Sequence, residues 1–249
     1  NGPRGRFVKT ISISLWRRPL RAVKGVARMI ERNEKLMTLL HSRGAGPGEG
    51  LPLPRPADFV RAGLAEQVAQ VYRALGGRLD EPPGTHVGGW TLAFGDMAVA
   101  LDGELHFNRW RALTLAAPAY RALAHFPTRK YLDFCESFEK TALDAGIVGG
   151  RWTTQSAETQ FGASAPPGEL SGPGSARWRQ RAFFDFVKDL APLACGLPMA
   201  RIAIWDRVAF GSVSMTLGHA LDEVAAAPAI ARLIESRRPL ETTGPAVPS

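Results

Sequence analysis

The stretch "DMAVALDGELHFNRW", residues 96–110, decides how this chain is read. Apolar residues at 97, 99, 101 and 105 alternate with Asp96, Ala98, Ala100, Asp102, Glu104 and His106, and a period of two belongs to a strand with two unlike faces. Read as one extended segment over 96–106, Met97, Val99, Leu101 and Leu105 pack into a core and the polar set shares the opposite face. Asp102 and Glu104 then have Cα atoms roughly 6.5–7 Å apart, a spacing at which two carboxylates can close on one divalent cation. The competing reading is a hairpin in which "DG" is only a turn and His106 opens the next helix.

Upstream, "GGWTLAF" and "MAVALDG" read as two antiparallel strands joined at Gly95-Asp96, preceded by the turn signal "EPPGT". Before them, "PADFVRAGLAEQVAQVYRALGG" has one apolar face from Phe59, Leu64, Val68, Val71, Tyr72 and Leu75, with Gly76 and Gly77 as the stop. Downstream, a helix is expected over about 128–145, with Thr128 as N-cap and Gly146 as the stop. Residues 149–175, rich in Gly, Ser, Thr, Ala and Pro, read as a loop insertion. A helix capped by Ser175, a strand "ARIAIWDRVAF" and a helix near 216–236 follow, and a tail from Pro239 is expected to be disordered. The order is that of an α/β or α+β domain with a small mixed sheet.

Residues 19–42 read as a basic helix and "GAGPGEGLPLPRP" as a linker, so residues 1–55 form an N-terminal extension ahead of a domain at 56–238. Of 31 Lys/Arg and 23 Asp/Glu, residues 1–55 carry 12 and 3, which leaves 19 and 20 for the rest. The net charge of +8 therefore sits in the extension, where a polyanionic partner would be met. Residues 1–18 lack the apolar core of a secretory signal; a nucleic-acid arm, an organellar targeting stretch and translation upstream of Met29 or Met37 all remain open. No run of 18 apolar residues exists, so no spanning helix is expected. Cys135 and Cys195 have neither metal-ligand nor disulfide spacing and suit buried thiols in a reducing cytoplasm.

"MAVALDGELHF", after "WTLAF" and before "NRWRALTL", resembles the second and third strands of the PD-(D/E)XK, or restriction-endonuclease-like, nuclease superfamily, in particular its very-short-patch-repair-like branch. The resemblance implies a core of helix, three strands, helix and strand with extra helices, with "RIAIWDRV" as the fourth strand. It implies metal-dependent hydrolysis of phosphodiester bonds in DNA, in defence or repair, with Mg²⁺ or Mn²⁺ as cofactor. Asp102, Gly103 and His106 match its motif Asp, Gly and His. Ala100 and Ala93 stand where that branch has acids, so either the ligands have moved or the active site is eroded.

On this reading Asp102 and Glu104 are metal ligands, with Asp96 or Glu66 as a third, and His106 is a base or a phosphate contact. Asn108, Arg109 and Arg111 are candidate phosphate contacts, and Lys188 a candidate for the motif lysine. "RWRQR", residues 177–181, and Trp205 carry groups of the kind that grip single strands, although Trp178 and Trp205 are of a type more often core than stacking platform. The alternatives are a catalytically inactive nuclease-like fold that binds nucleic acid or protein, and an unrelated α+β fold whose acidic strand is incidental. P-loop, dinucleotide-binding, GxSxG and HExxH signatures are missing.

Overall fold

The computed structural model describes residues 20–84, 89–148 and 152–239. The stretch to residue 19 and the tail from residue 240 lie outside the described residues, and so do the expectations made for them. In chain order the elements are α1 (Leu20–Leu40), β1 (Ala45–Gly46), α2 (Pro56–Arg61), α3 (Ala65–Ala74), β2 (Leu92–Phe94) and β3 (Met97–Asp102). Then come α4 (Arg109–Leu115), α5 (Thr128–Val148), α6 (Gln155–Phe161), α7 (Ala176–Asp189), α8 (Ala191–Cys195) and β4 (Met199–Ala203). A hairpin of β5 (Arg207–Phe210) and β6 (Val213–Thr216) precedes α9 (Leu217–Ala220) and α10 (Ala227–Glu235).

The fold is mixed α/β, built on a four-stranded sheet of order β1-β2-β3-β4. β1, β2 and β3 are antiparallel neighbours, and β4 runs parallel to β3. The two sheet faces follow from the alternation in the sequence. Met97, Val99 and Leu101 of β3 join Ala200 and Ile202 of β4 in a cluster with Leu36 and Leu40 of α1 and Ile230 and Ile234 of α10. Ala98, Ala100 and Met199 face the other way, onto Ala191 of α8 and Trp90. Small residues on that second face let helices approach the sheet closely, and Asp102 and Arg201 extend the same face toward α7.

Several expected boundaries move. The strand expected over 96–106 ends at Asp102, because Glu104–His106 coils into a 3₁₀ turn, so Asp102 and Glu104 do not share a strand face. Leu105 consequently packs into the helical cluster on the other side of the sheet. The segment read as an extension and linker is part of the core: Leu36 and Leu40 are fully buried, worth about 1.5–3 kcal/mol each, and β1 pairs with β2 inside the supposed linker. The helix expected from Pro56 is broken at Gly63, whose φ of +69° favours glycine, into α2 and α3. Residues 152–175 contain α6, with Trp152 and Phe161 buried. Gly146 does not stop α5; it lies inside the helix, where a Cβ would come 2.7 Å from the Trp178 ring. The "ARIAIWDRVAF" strand turns at Asp206, which is buried between Arg237, Lys130 and the Ala203 amide. The last expected helix is divided into α9 and α10.

Candidate active site

β3 delivers Asp102 to the end of the sheet, where the chain turns through Gly103 and sends His106 back over it. α7 crosses the same face and contributes Asp185 and Asp189, one helical turn apart on its buried side. His106 Nδ1 lies 2.7 Å from Asp185 Oδ2 and 3.3 Å from Asp102 Oδ1. Arg201, the one charged residue of β4, joins these groups: Nη1 donates to Asp102 Oδ1 at 2.7 Å and Asp185 Oδ1 at 3.1 Å, and Nε lies 2.7 Å from Asp189 Oδ1. Asp189 Oδ2 also accepts from Arg111 Nη2 and from the Tyr120 hydroxyl, both at 2.5 Å.

Three buried carboxylates thus meet two buried guanidiniums, leaving one negative charge for His106 or a bound cation to balance. Burial would raise the Asp185 carboxyl, but the charges of His106 and Arg201 outweigh it and hold it well below the usual carboxylate range. Asp102 is 1% exposed, and its Oδ2 has no hydrogen-bond partner among the described residues. Asp102, His106 and Asp185 offer ligand atoms within 4.8 Å of one another, so the donor set fits a divalent ion. The His106 side chain is 17% exposed, and Arg181 Nη1 stands 3.5 Å from its Nε2.

Of the residues singled out in the sequence, Asp102 and His106 come together here, Arg111 joins the cluster through Asp189, and Arg181 stands beside the His106 ring. Asp96 is on the β2–β3 turn, paired with Arg238 at 2.7 Å, and Glu66 is a solvent-facing residue of α3 paired with Arg73. Glu104 points to α1, where Arg32 grips both its oxygens. The three candidate phosphate contacts have structural partners. Asn108 is the buried N-cap of α4, accepting from the amides of Trp110 and Arg111, and Arg111 is buried against Asp189. Arg109 is clamped by Glu139 through two 2.8 Å bonds. Asp185, Asp189 and Arg201 went unnoticed in the sequence. Their signal was present: two acids four residues apart on an apolar helix, and one arginine inside "MARIA".

Residues 70–223 match a family described as "Family of unknown function (DUF7255)". The chain belongs to this family. The DUF7255 match includes Asp102, His106, Asp185 and Arg201, whereas α1 lies outside it. No curated protein and no solved structure matches the chain.

Lys188 follows Asp185 by three residues on α7; its Nζ donates to the Gly89 carbonyl at 2.9 Å and sits 5.3 Å from the Trp90 ring centroid. Burial, reinforced by Arg201 and opposed by Asp185, Asp102 and Asp189, lowers its ammonium to about 8. A ¹³Cε NMR titration is expected to show a midpoint near 8 rather than 10.5, and a midpoint above 10 would mean that the side chain has left this pocket. Because the folded value is below the unfolded one, charged Lys188 opposes folding below pH 8, and stability rises between about pH 8 and 10.5.

Proposed function

We propose that the chain is a metal-dependent nuclease on a restriction-endonuclease-like scaffold, hydrolysing phosphodiester bonds in DNA. The observation that carries this reading is the convergence of Asp102, His106 and Asp185, with Asp102 Oδ2 buried and unpartnered. The element order supports it in part: with α1 as the opening helix the chain runs helix, strand, two helices, two strands, helices, strand, so α2 and α3 interrupt the run of three strands. Helices cover both sheet faces, and β4 lies parallel to β3.

The ligand set is Asp102, Asp185 and His106, in place of Asp96, Glu104 and Glu66. An imidazole beside two carboxylates suits Mn²⁺ better than Mg²⁺. The ion would polarise a phosphodiester and lower the pKa of the attacking water. Asp185 orients the His106 ring, and Arg181, beside the ring's other nitrogen, supplies positive charge where a phosphate would approach. A cytoplasmic location fits the free thiols of Cys135 and Cys195 and is part of the proposal. No helix of the described residues is long and apolar enough to cross a membrane.

A second reading, a nuclease-like fold that binds nucleic acid or protein without cleaving, is favoured by Arg201. Its guanidinium bridges Asp102 and Asp185, and Ala93 and Ala100 stand where acids were expected. Calorimetry with Mn²⁺ and cleavage of single-stranded and duplex DNA and RNA separate the two. Wild type is expected to bind one Mn²⁺ and cut DNA. Asp102→Asn and Asp185→Asn, each keeping an oxygen for Arg201, should each lose the metal and cut at least about a hundredfold more slowly. Wild-type protein that binds no Mn²⁺ and leaves every substrate intact would overturn the nuclease reading.

A further inference from the structure

We propose that Arg28 and Arg32 of α1 form a binding site for a backbone phosphate of a nucleic-acid strand, and that Glu104 occupies it in the free protein. The proposal rests on the nucleic-acid partner of the preceding section, but not on cleavage or on a metal.

Arg32 Nη1 and Nη2 donate to Glu104 Oε2 and Oε1 at 2.8 and 3.0 Å, the two-pronged geometry with which arginine also holds phosphate. Arg28 Nη1 stands 3.9 Å from the same carboxylate, and its side chain is 66% exposed. Two guanidiniums therefore share one carboxylate, and the excess charge faces solvent. The carboxylate belongs to the turn that links Asp102 to His106, and it points to α1 where His106 points to α7. The turn is held close to α1: a Cβ on Gly103 would come 3.2 Å from Met29 Sδ.

The sequence leading into this pair favours a long polyanion. Positions 21, 24, 28 and 32 are all Arg or Lys, three or four residues apart along one helical register, and residues 1–18 add five more cations and no acid. Lys35 continues the register but is taken by Glu31 and Asp222, which marks the end of the stripe. An anionic membrane is the weaker candidate. A basic helix docks on lipid through a free apolar face, and among the described side chains of α1 Met29, Leu36, Met37, Leu39 and Leu40 pack on the core, which leaves Ile30 as the exposed apolar residue.

The test is fluorescence anisotropy of the full chain with labelled single-stranded and duplex DNA in EDTA, over a series of salt concentrations. Glu104→Gln removes the competing charge and is expected to tighten binding about three- to tenfold. Arg28→Ala, at an exposed position where folding is not at risk, should weaken it about fivefold. It should also flatten the slope of log affinity against log salt by about 0.7–0.9, the signature of one lost phosphate contact. A Glu104→Gln protein of wild-type melting behaviour that binds no tighter, or an unchanged Arg28→Ala protein, overturns the proposal. So does binding to anionic phospholipid vesicles without binding to DNA. Protein that binds as described yet never cleaves would sink the nuclease reading alone; cleavage with binding insensitive to both substitutions would sink this one alone.

Discussion

Arg201→Ala is expected to cost about 3–5 kcal/mol of folding free energy, a large part of the roughly 5–15 kcal/mol typical of a domain. The side chain is 1% exposed and lies within 3.1 Å of carboxylate oxygens from Asp102, Asp185 and Asp189. With it gone, Arg111 is the remaining buried guanidinium against three carboxylates, too far out of balance for the interior to tolerate. Arg201→Lys should fall in between, because an ammonium cannot present a fork to several acceptors at once. Urea unfolding followed by circular dichroism measures both, and a loss below 1 kcal/mol for the alanine variant would mean that water already reaches the cluster. The same protein examines the metal site. If Asp102, His106 and Asp185 can hold Mn²⁺, the ion supplies the positive charge lost with Arg201, and a concentration near 100 times its Kd should restore about 2.7 kcal/mol. Recovery with Mn²⁺ but not with matched ionic strength would place guanidinium and metal in competition for one set of carboxylates.

What the sequence made legible was whatever is encoded by a short period. The alternation over Met97–Asp102 assigned each side chain to its sheet face, and the Gly95 turn set the pairing of β2 with β3. The pattern misled where a period continued past the element that owned it. Glu104 and His106 keep the parity of Asp102, yet the 3₁₀ turn sends one to α1 and the other to α7. The remaining site residues were hidden for another reason. Asp102 meets Arg201 and His106 meets Asp185 across 99 and 79 residues of chain, and nothing local to either partner announces the other. A carboxylate on a helix reads as surface, and only packing of α7 against β3 and β4 makes Asp185 and Asp189 interior. Composition erred in a similar way: Gly and Pro around β1 suggested a linker, although two residues of strand are enough to close a sheet edge.

Trp178→Ala is expected to destabilise the protein by about 3–5 kcal/mol while leaving nucleic-acid binding per folded molecule unchanged. "RWRQR" has the composition of a strand-gripping patch, but α7 rotates it so that its members part company. Trp178 is 1% exposed, meets Trp110 edge-on at 5.9 Å and Trp152 at 5.5 Å, and fills the notch left by Gly146 in α5. Arg179 turns inward to the Phe161 carbonyl at 2.6 Å, holding the end of α6. Arg181 stays at the rim of the candidate centre, beside His106. Gly146→Val approaches the same contact from the opposite side: its side chain would collide with the Trp178 ring, at a cost of about 1–3 kcal/mol. Chemical denaturation gives both losses, and anisotropy with single-stranded DNA, corrected for the folded fraction, gives the binding. A stacking platform would show the reverse, with stability nearly untouched and affinity lowered by about 1–3 kcal/mol for the lost base contact. That outcome would require the indole to leave its pocket between α4, α5 and α7, and Gly146→Val would then be harmless. The two substitutions therefore have to agree: if filling the notch and emptying it both destabilise, Trp178 belongs to the core, and Arg181 is left as the member of this motif that faces the candidate centre.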